Sequence, residues 1–392
     1  MAVQIPTLIE LYTSIKGDLD TEIGGVSPIF GKTYINALSG VQAAKMKLYY
    51  LAIANLQKNV FPDLAESEAK GGTLERFGRV KLNRNPFRAV AAQYTVNLTG
   101  EIGAIIKVNT TFKSDDSSNS PSQLFVLDTE FTFVATTGII TLRAFESGLD
   151  SKLSIGDTLT ANAPILNADE VCTVATESVT PLSEEDLEVY RAKIVEAFRL
   201  EPNGGSGSDY RIWSADVQGV LRVYPYARAG FANEIEIFVE STIANSTDGL
   251  GTPNAQMLLD VASVIEFDPD TTAPLNERGR RPLGVFNIEV TPITIKPIDI
   301  FITGFVGGTT AIETSIFNAI NAGIGKVRPF VASTDVLADK NDVISQSNLI
   351  FLLMSANQSV FTNLTFEVDS VASTSETFLL GDIPVLNSIT YV

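Results

Sequence analysis

Few side chains in this chain are suited to chemistry. It has no histidine and a single cysteine, Cys172, so the commonest general base, the commonest metal ligand and any internal disulfide are absent. Ser-His-Asp hydrolysis and zinc-histidine chemistry are thereby excluded. Glycine loops and carboxylates remain. Gly25-Val26-Ser27-Pro28-Ile29-Phe30-Gly31-Lys32-Thr33 superficially matches a phosphate-binding loop, but five residues separate its glycines where four are needed, and no apolar strand precedes it. Gly204 to Gly207 lies before a helix whose free amides could hold an anion. Tyr210, however, stands where Gly-X-Gly-X-X-Gly requires its third glycine, so the expected role is a turn that lets two helices pack closely. Glu184, Glu185 and Asp186 point in different directions on a helix and are explained by its N-terminal dipole. Asp268-Pro269-Asp270 lacks the ligand count and the glycine of a calcium loop, and Asp115-Asp116 is a loop charge pair. Two carboxylates could cleave a glycoside without histidine, but such a pair is defined by separation in space. No cofactor and no metal are expected. Trp213, the only tryptophan, is read as a core anchor beneath the glycine loop, with an interface hot spot as the alternative.

The elements that must position these residues fall into an α+β multidomain series. Four parts are expected: an N-terminal helical bundle (1–88), a β-rich domain (89–180), a central α+β module (181–306) and a C-terminal α+β domain (307–392). Helices are predicted around Leu8 to Lys16 and from about Lys32 to Asn59. In the second, Tyr34, Ala37, Val41, Ala44, Leu48 and Leu51 recur in steps of three and four, the spacing of a bundle seam. Leu38, Ala52 and Leu56 widen that face. The seam is covered either by the first helix in an intrachain hairpin or by another chain. From Ala89 the pattern changes to short β-branched and aromatic runs at Gln93–Leu98, Ile105–Val108, Leu124–Leu127, Phe131–Val134 and Ile139–Leu142, with a polar loop from Ser114 to Pro121. Ser183 is a natural N-cap for a helix whose apolar face is Leu187, Tyr190, Ile194 and Phe198. Asn233 to Glu240 alternates between a buried and an acidic face. Ala255 to Val264 reads as helix, and Phe286–Val290 and Ile293–Ile302 as strands, together a βαβ-like module. In the C-terminal part an amphipathic helix runs from about Thr310 to Ile324, followed by an apolar segment at Leu349–Met354 and β-prone stretches at Leu364–Val368 and the terminus.

The net charge is −18 and the sequence pI about 4.5, which argues against direct nucleic-acid binding, because phosphate neutralisation needs a basic surface. The charge is uneven. Residues 1 to 90 carry 11 Lys and Arg against 8 Asp and Glu, and the rest 17 against 38. The basic run Arg76, Arg79, Lys81, Arg84 and Arg88 is either a solvated surface or a contact with an acidic neighbour. No apolar run approaches the roughly 18 residues of a membrane span, and the N-terminus lacks a basic segment followed by an apolar core. Membrane insertion and secretion by a signal peptide are not expected; synthesis and assembly in the cytoplasm are.

One ordered series of motifs stands out. Pro181-Leu182-Ser183-Glu184-Glu185-Asp186, Tyr190-Arg191, Gly204-Gly205-Ser206, Asp209-Tyr210-Arg211 with Trp213, and Gly219-Val220 follow one another. Leu74-Glu75-Arg76-Phe77-Gly78, Asn85-Pro86, Leu98-Thr99-Gly100, Gly103, Ala144 and Gly148 precede them, and Arg281-Pro282-Leu283-Gly284 follows. This series resembles the baseplate J-like family of contractile phage tails and related injection machines, over about residues 70 to 300. Lys152 departs from the asparagine that the family often has there. The resemblance implies a non-enzymatic baseplate wedge subunit, located in the virion's tail baseplate and assembled in the host cytoplasm. Its implied partners are copies of itself, other wedge proteins, the central hub, the sheath and tail-fibre attachment proteins. Two other classes stand beside it: a virion-associated glycan-degrading enzyme and a receptor-binding tail protein.

Overall fold

A computed structural model describes residues 5–22, 29–200, 204–306, 308–332, 334–356 and 361–391. Gly25 to Pro28 of the phosphate-loop look-alike, and Asn203, lie outside them. The protein has a multidomain α+β architecture, with helices first and sheets after. It divides into two compact units, Met1–Pro86 with Leu187–Phe198, and Phe87–Asp186 with Arg199–Val392.

The first unit contains α1 (Leu8–Glu22), α2 (Ile29–Val60), α3 (Leu74–Lys81) and α4 (Leu187–Arg199). At 1.5 Å per residue the 32-residue α2 is about 48 Å long. The third and fourth helices share a small core of Leu74, Leu82, Tyr190, Ile194 and Ala197. The sequence grouped α4 with the module that follows it, but Tyr190 and Ile194 of its apolar face are buried in this first unit, while Leu187 and Phe198 stay exposed. It also begins at Leu187 rather than at Ser183. Ser183 is not its cap: both its amide and its hydroxyl are directed at Asn245 Oδ1 (3.1 and 3.3 Å), and Glu185 accepts from the Phe87 amide at 3.2 Å.

In the second unit, residues 93–179 form a closed barrel. Its elements in chain order are β1 (Gln93–Thr99), β2 (Ile105–Ile106), β3 (Thr111–Ser114), β4 (Leu124–Leu127), β5 (Phe131–Thr132), β6 (Thr137–Ala144), β7 (Thr158–Ala161) and β8 (Val171–Val179). The barrel order is β1-β6-β4-β3-β7-β8, with β8 returning to β1, and the short β2 and β5 pair separately. Alternation along β1 and β6 sends Tyr94, Val96, Leu98, Ile140 and Leu142 inward, as the two-residue period of a strand requires. Cys172 lies in this core, and burial pushes its thiol up to about 12. The loop after β3 is pinned by Asp115, whose carboxylate accepts from the Thr158 and Thr160 hydroxyls at 2.6 and 2.8 Å.

Next come α5 (Gly207–Ser214), β9 (Val220–Ala227), β10 (Glu234–Ser241), α6 (Ala255–Glu266) and β11 (Asn287–Pro292). The sheet order is β11-β10-β9; β10 and β11 are parallel, as the α6 crossover demands. β12 (Thr294–Thr303) leaves this module and pairs with C-terminal strands. The remaining elements are α7 (Thr310–Ile324), β13 (Val343–Ser345), α8 (Gln346–Ala356), β14 (Asn363–Val368), β15 (Val371–Ser373), β16 (Ser375–Thr377) and β17 (Asp382–Tyr391); β12 joins a sheet of order β15-β14-β12-β17, and β13 pairs separately with β16. The two helices bury Ile316, Ile320, Ile324, Leu349 and Leu353 with Ile298, Ile300 and Phe366 of the sheet.

Candidate interaction surfaces

The seam residues of α2 form one exposed stripe. Tyr34, Ala37, Val41, Ala44, Leu48 and Leu51 are all exposed, Tyr34 by 67% and Leu48 by 66%. Met46, Tyr49, Ile53, Leu56 and Val60 extend the apolar surface. The hairpin with α1 does form, but it is made by a different face. Ile35, Ser39 and Ala43, at steps of four, are the buried residues there. Small side chains at two of these positions allow close approach, and Tyr12 Oη donates to Asn36 Oδ1 at 3.2 Å while Lys47 Nζ donates to the Pro6 carbonyl at 2.7 Å. Contiguous exposed apolar surface of this kind is uncommon on monomeric proteins.

The basic run has a different fate. Arg79 donates to Glu68 (3.2 Å for one bond) and to Asn85 Oδ1 (3.0 Å), and the hydrogen bond from Arg79 lowers the Glu68 pKa. Arg84 reaches the Asn85 carbonyl at 3.1 Å and lies over the Tyr190 ring, 5.4 Å from its centroid. Lys81 covers Phe198 at 4.6 Å. Arg76 and Arg88 are exposed, and Arg88 belongs to the second unit. Arg79, Lys81 and Arg84 are thus engaged locally within the first unit.

The motif residues meet in pairs that lock elements together. Tyr190 Oη donates to the Arg84 carbonyl at 2.7 Å, and a Cβ on Gly78 would sit 1.7 Å from that hydroxyl oxygen, so Tyr190 fits only because residue 78 is glycine. Arg191 donates to the carbonyls of Pro62 (3.3 Å) and Ala65 and to Glu188 (2.9 Å). In the second unit, Asp209 accepts from the Gly205 amide and from the Ser206 amide at 3.1 Å, completing a capping box at the start of α5. Two of the amides that could have held an anion, those of Gly205 and Ser206, are thus engaged by the chain's own carboxylate. Gly205 has φ +112°, and a Cβ there would lie 2.6 Å from Pro282, so the turn accommodates a loop proline rather than the second helix expected. Trp213 packs edge-on against Tyr210, with centroids 5.3 Å apart, at the margin of the central core.

Arg211 is 3% exposed at its side chain and grips Asp335 bidentately, at 2.5 and 3.0 Å, while its Nε donates to the Val223 carbonyl at 3.1 Å. Asp335 also accepts from the Val331 amide at 2.7 Å. Burial pushes the Asp335 carboxyl up, but the bonds and charge of Arg211 outweigh it and hold the group below its ordinary value. A second buried staple overturns an expectation. Glu240 belongs to the acidic side of the β10 alternation, yet it is only 3% exposed. It accepts from Tyr224 Oη at 2.5 Å and from Arg328 at 3.0 to 3.3 Å, because residues of the C-terminal module cover that end of the sheet. Burial and the Glu240 charge drive the Tyr224 hydroxyl well above its usual range. Sequence reasoning missed this group because its partner Arg328 is 88 residues away.

Glu101 and Asp169 line one open cavity of about 520 Å³ at the end of the barrel, with Asp169 held by the Thr99 hydroxyl. Among the described residues no three His, Cys, Asp or Glu side chains come together in a metal-binding group, and no helix is long and apolar enough to cross a membrane.

No protein-family model matches the chain. The Escherichia coli (strain K12) protein JayE is 29% identical over 58 residues, which are 15% of this chain and 22% of that protein's length. A chain in the cryo-EM structure of the anti-feeding prophage baseplate superposes with a TM-score of 0.43 at 8% identity, covering 97% of this chain and 90% of that one. Similarity at these levels leaves the family of this chain open.

Proposed function

We propose that this chain is a non-enzymatic structural subunit of a contractile-tail baseplate, a wedge component whose copies join with other baseplate proteins in a ring around the central hub. The observation that carries the assembly role is the exposed seam of α2. A helix of this length exposing so many large apolar side chains gains its stability from a partner rather than from its own hairpin. The baseplate assignment rests on the ordered motif series. Those residues serve as internal staples at Gly78–Tyr190, Arg191–Ala65 and Arg211–Asp335, the role expected of residues that fix a scaffold.

Residues 29–60 contain Lys32, Lys45, Lys47 and Lys58 and no acidic side chain. Their neighbour across the seam is therefore apolar with an acidic rim, and such a contact weakens as salt rises. The test is particle assembly with Leu48→Asp. Particles should be lost while the barrel stays folded by circular dichroism of the purified chain. Normal particles carrying the substitution would remove the seam from the account. The glycan-cleaving alternative belongs at the barrel-end cavity; turnover of a cell-surface glycan that disappears with Glu101→Gln would establish it instead.

A further inference from the structure

Where the C-terminal end of α7 meets β13 and α8, the chain leaves a cavity of about 240 Å³. Ile324, Val327, Ile344 and Leu349 form its floor, and all four belong to the buried core of this module. Leu352 closes one side, and Gly323 lets it approach: a Cβ on residue 323 would lie 2.3 Å from Leu352 Cδ1. The exposed part of the lining is different in kind, with Lys326, Asn341 and Asn348 beside Phe351. Asn341 Nδ2 donates to the Lys326 carbonyl at 3.0 Å and so ties that wall together. The Lys326 ammonium and the Asn348 side-chain amide have no ion pair or hydrogen bond among the described residues. The acid nearest in sequence, Asp342, is buried and already paired with Lys340 at 3.4 Å.

We infer that this cavity binds a small free monocarboxylate whose apolar body is about one phenyl ring in size, the ring on the aliphatic floor and the carboxylate at Lys326 and Asn348. Volume sets the body. An apolar cavity of about 150 Å³ accepts benzene, so 240 Å³ holds a ring with a short arm. The space is below the roughly 300–1,000 Å³ of sites for drug-sized ligands, which excludes a larger molecule. Charge sets the head. Lys326 is the one charged residue of the lining, and an ammonium and an amide both donate, so a carboxylate is matched and a cation is repelled. The net charge of −18 opposes an anion at a distance, but salt confines that field to about 8 Å, within which Lys326 acts. An apolar floor with a few unengaged polar groups at the mouth is the construction of a ligand site.

The test is titration of the purified full-length chain with phenylpropionate, followed by calorimetry. Saturable one-to-one binding is expected, and phenylpropionamide, neutral and of the same shape, should bind at least about tenfold more weakly. Lys326→Gln should weaken the acid by at least about tenfold, the scale of one charge-assisted hydrogen bond, and leave the amide unchanged. That split separates a contact with the carboxylate from a structural effect. Val343→Phe, which adds bulk to the lining, should weaken both ligands. Acetylglycylphenylalanine presents the same chemistry as the end of a polypeptide and should bind more weakly than the free acid. No saturable binding at millimolar acid, equal affinity for acid and amide, indifference to Lys326→Gln, or tighter binding of the peptide would each overturn the inference. Unchanged circular dichroism of the Lys326→Gln chain, expected for an exposed side chain, assigns any loss to the site. None of these results touches the baseplate reading, which particle incorporation decides separately.

Discussion

The β barrel and α2 use the same kinds of residue to opposite ends. In the barrel, a closed ring of strands turns Tyr94, Val96, Phe112, Phe125 and Leu142 into one interior, and closure leaves no unpaired edge. In α2, a comparable set of apolar side chains lies on the outside, and only Ile35, Ser39 and Ala43 are buried among its described side chains. The barrel contains the partners of its own apolar surface; the helix leaves that surface exposed. Hydrophobicity alone therefore does not separate a core residue from an interface residue.

The sharpest way to break this contrast is one truncation in each region. Phe125→Ala should destabilise the barrel by about 3–5 kcal/mol, read as a shift in denaturant midpoint. Leu48→Ala in the unassembled chain should change stability by no more than about 0.5 kcal/mol. Equal losses at the two sites would mean that the seam is covered within the chain. Next in size is the internal staple. Asp335→Ala leaves Arg211 buried without its carboxylate and should cost about 3 kcal/mol. The double variant with Arg211→Met should recover part of that loss, and strict additivity in the cycle would deny the pairing.

The same pair gives a pH signature. Because the Asp335 carboxyl is held below its ordinary value in the folded chain, its stabilisation is complete above the unfolded carboxylate value of about 3.9 and declines as pH falls through the lower folded value. Asp335→Asn should therefore flatten the acid limb of the stability curve, and an unchanged limb would place the acid sensitivity elsewhere. Smallest is the cap of α6. Asn254 accepts from the Met257 amide at 2.8 Å, and Asn254→Ala should cost about 1 kcal/mol, seen in the melting temperature and absent from any assembly assay.

Local pattern was legible in the sequence where one element decided the outcome. The helix at Thr310–Ile324 coincides with α7, and Leu124–Leu127 with β4, since period and turn residues suffice there. The seam on α2 was readable from spacing alone, but not which stripe α1 would cover; the small residues Ser39 and Ala43 were the available clue. Ser183 misled because a good cap residue was already committed to Asn245, a tertiary contact that overrides propensity. Glu240 was hidden for the same reason. In Leu349–Met354 the apolar run was visible, but separating buried Leu349 and Leu353 from exposed Phe351 and Met354 requires the steps of four that the helix imposes.

The position of α2 in an assembled particle is the most direct test of the proposed role. High-resolution electron microscopy of purified particles should find sixfold-related copies of this chain in a ring at the tail end, with Tyr34, Val41 and Leu48 covered by a neighbouring chain. Copies found only at fibre tips, the chain missing from particles, or a seam facing solvent in the ring would contradict it.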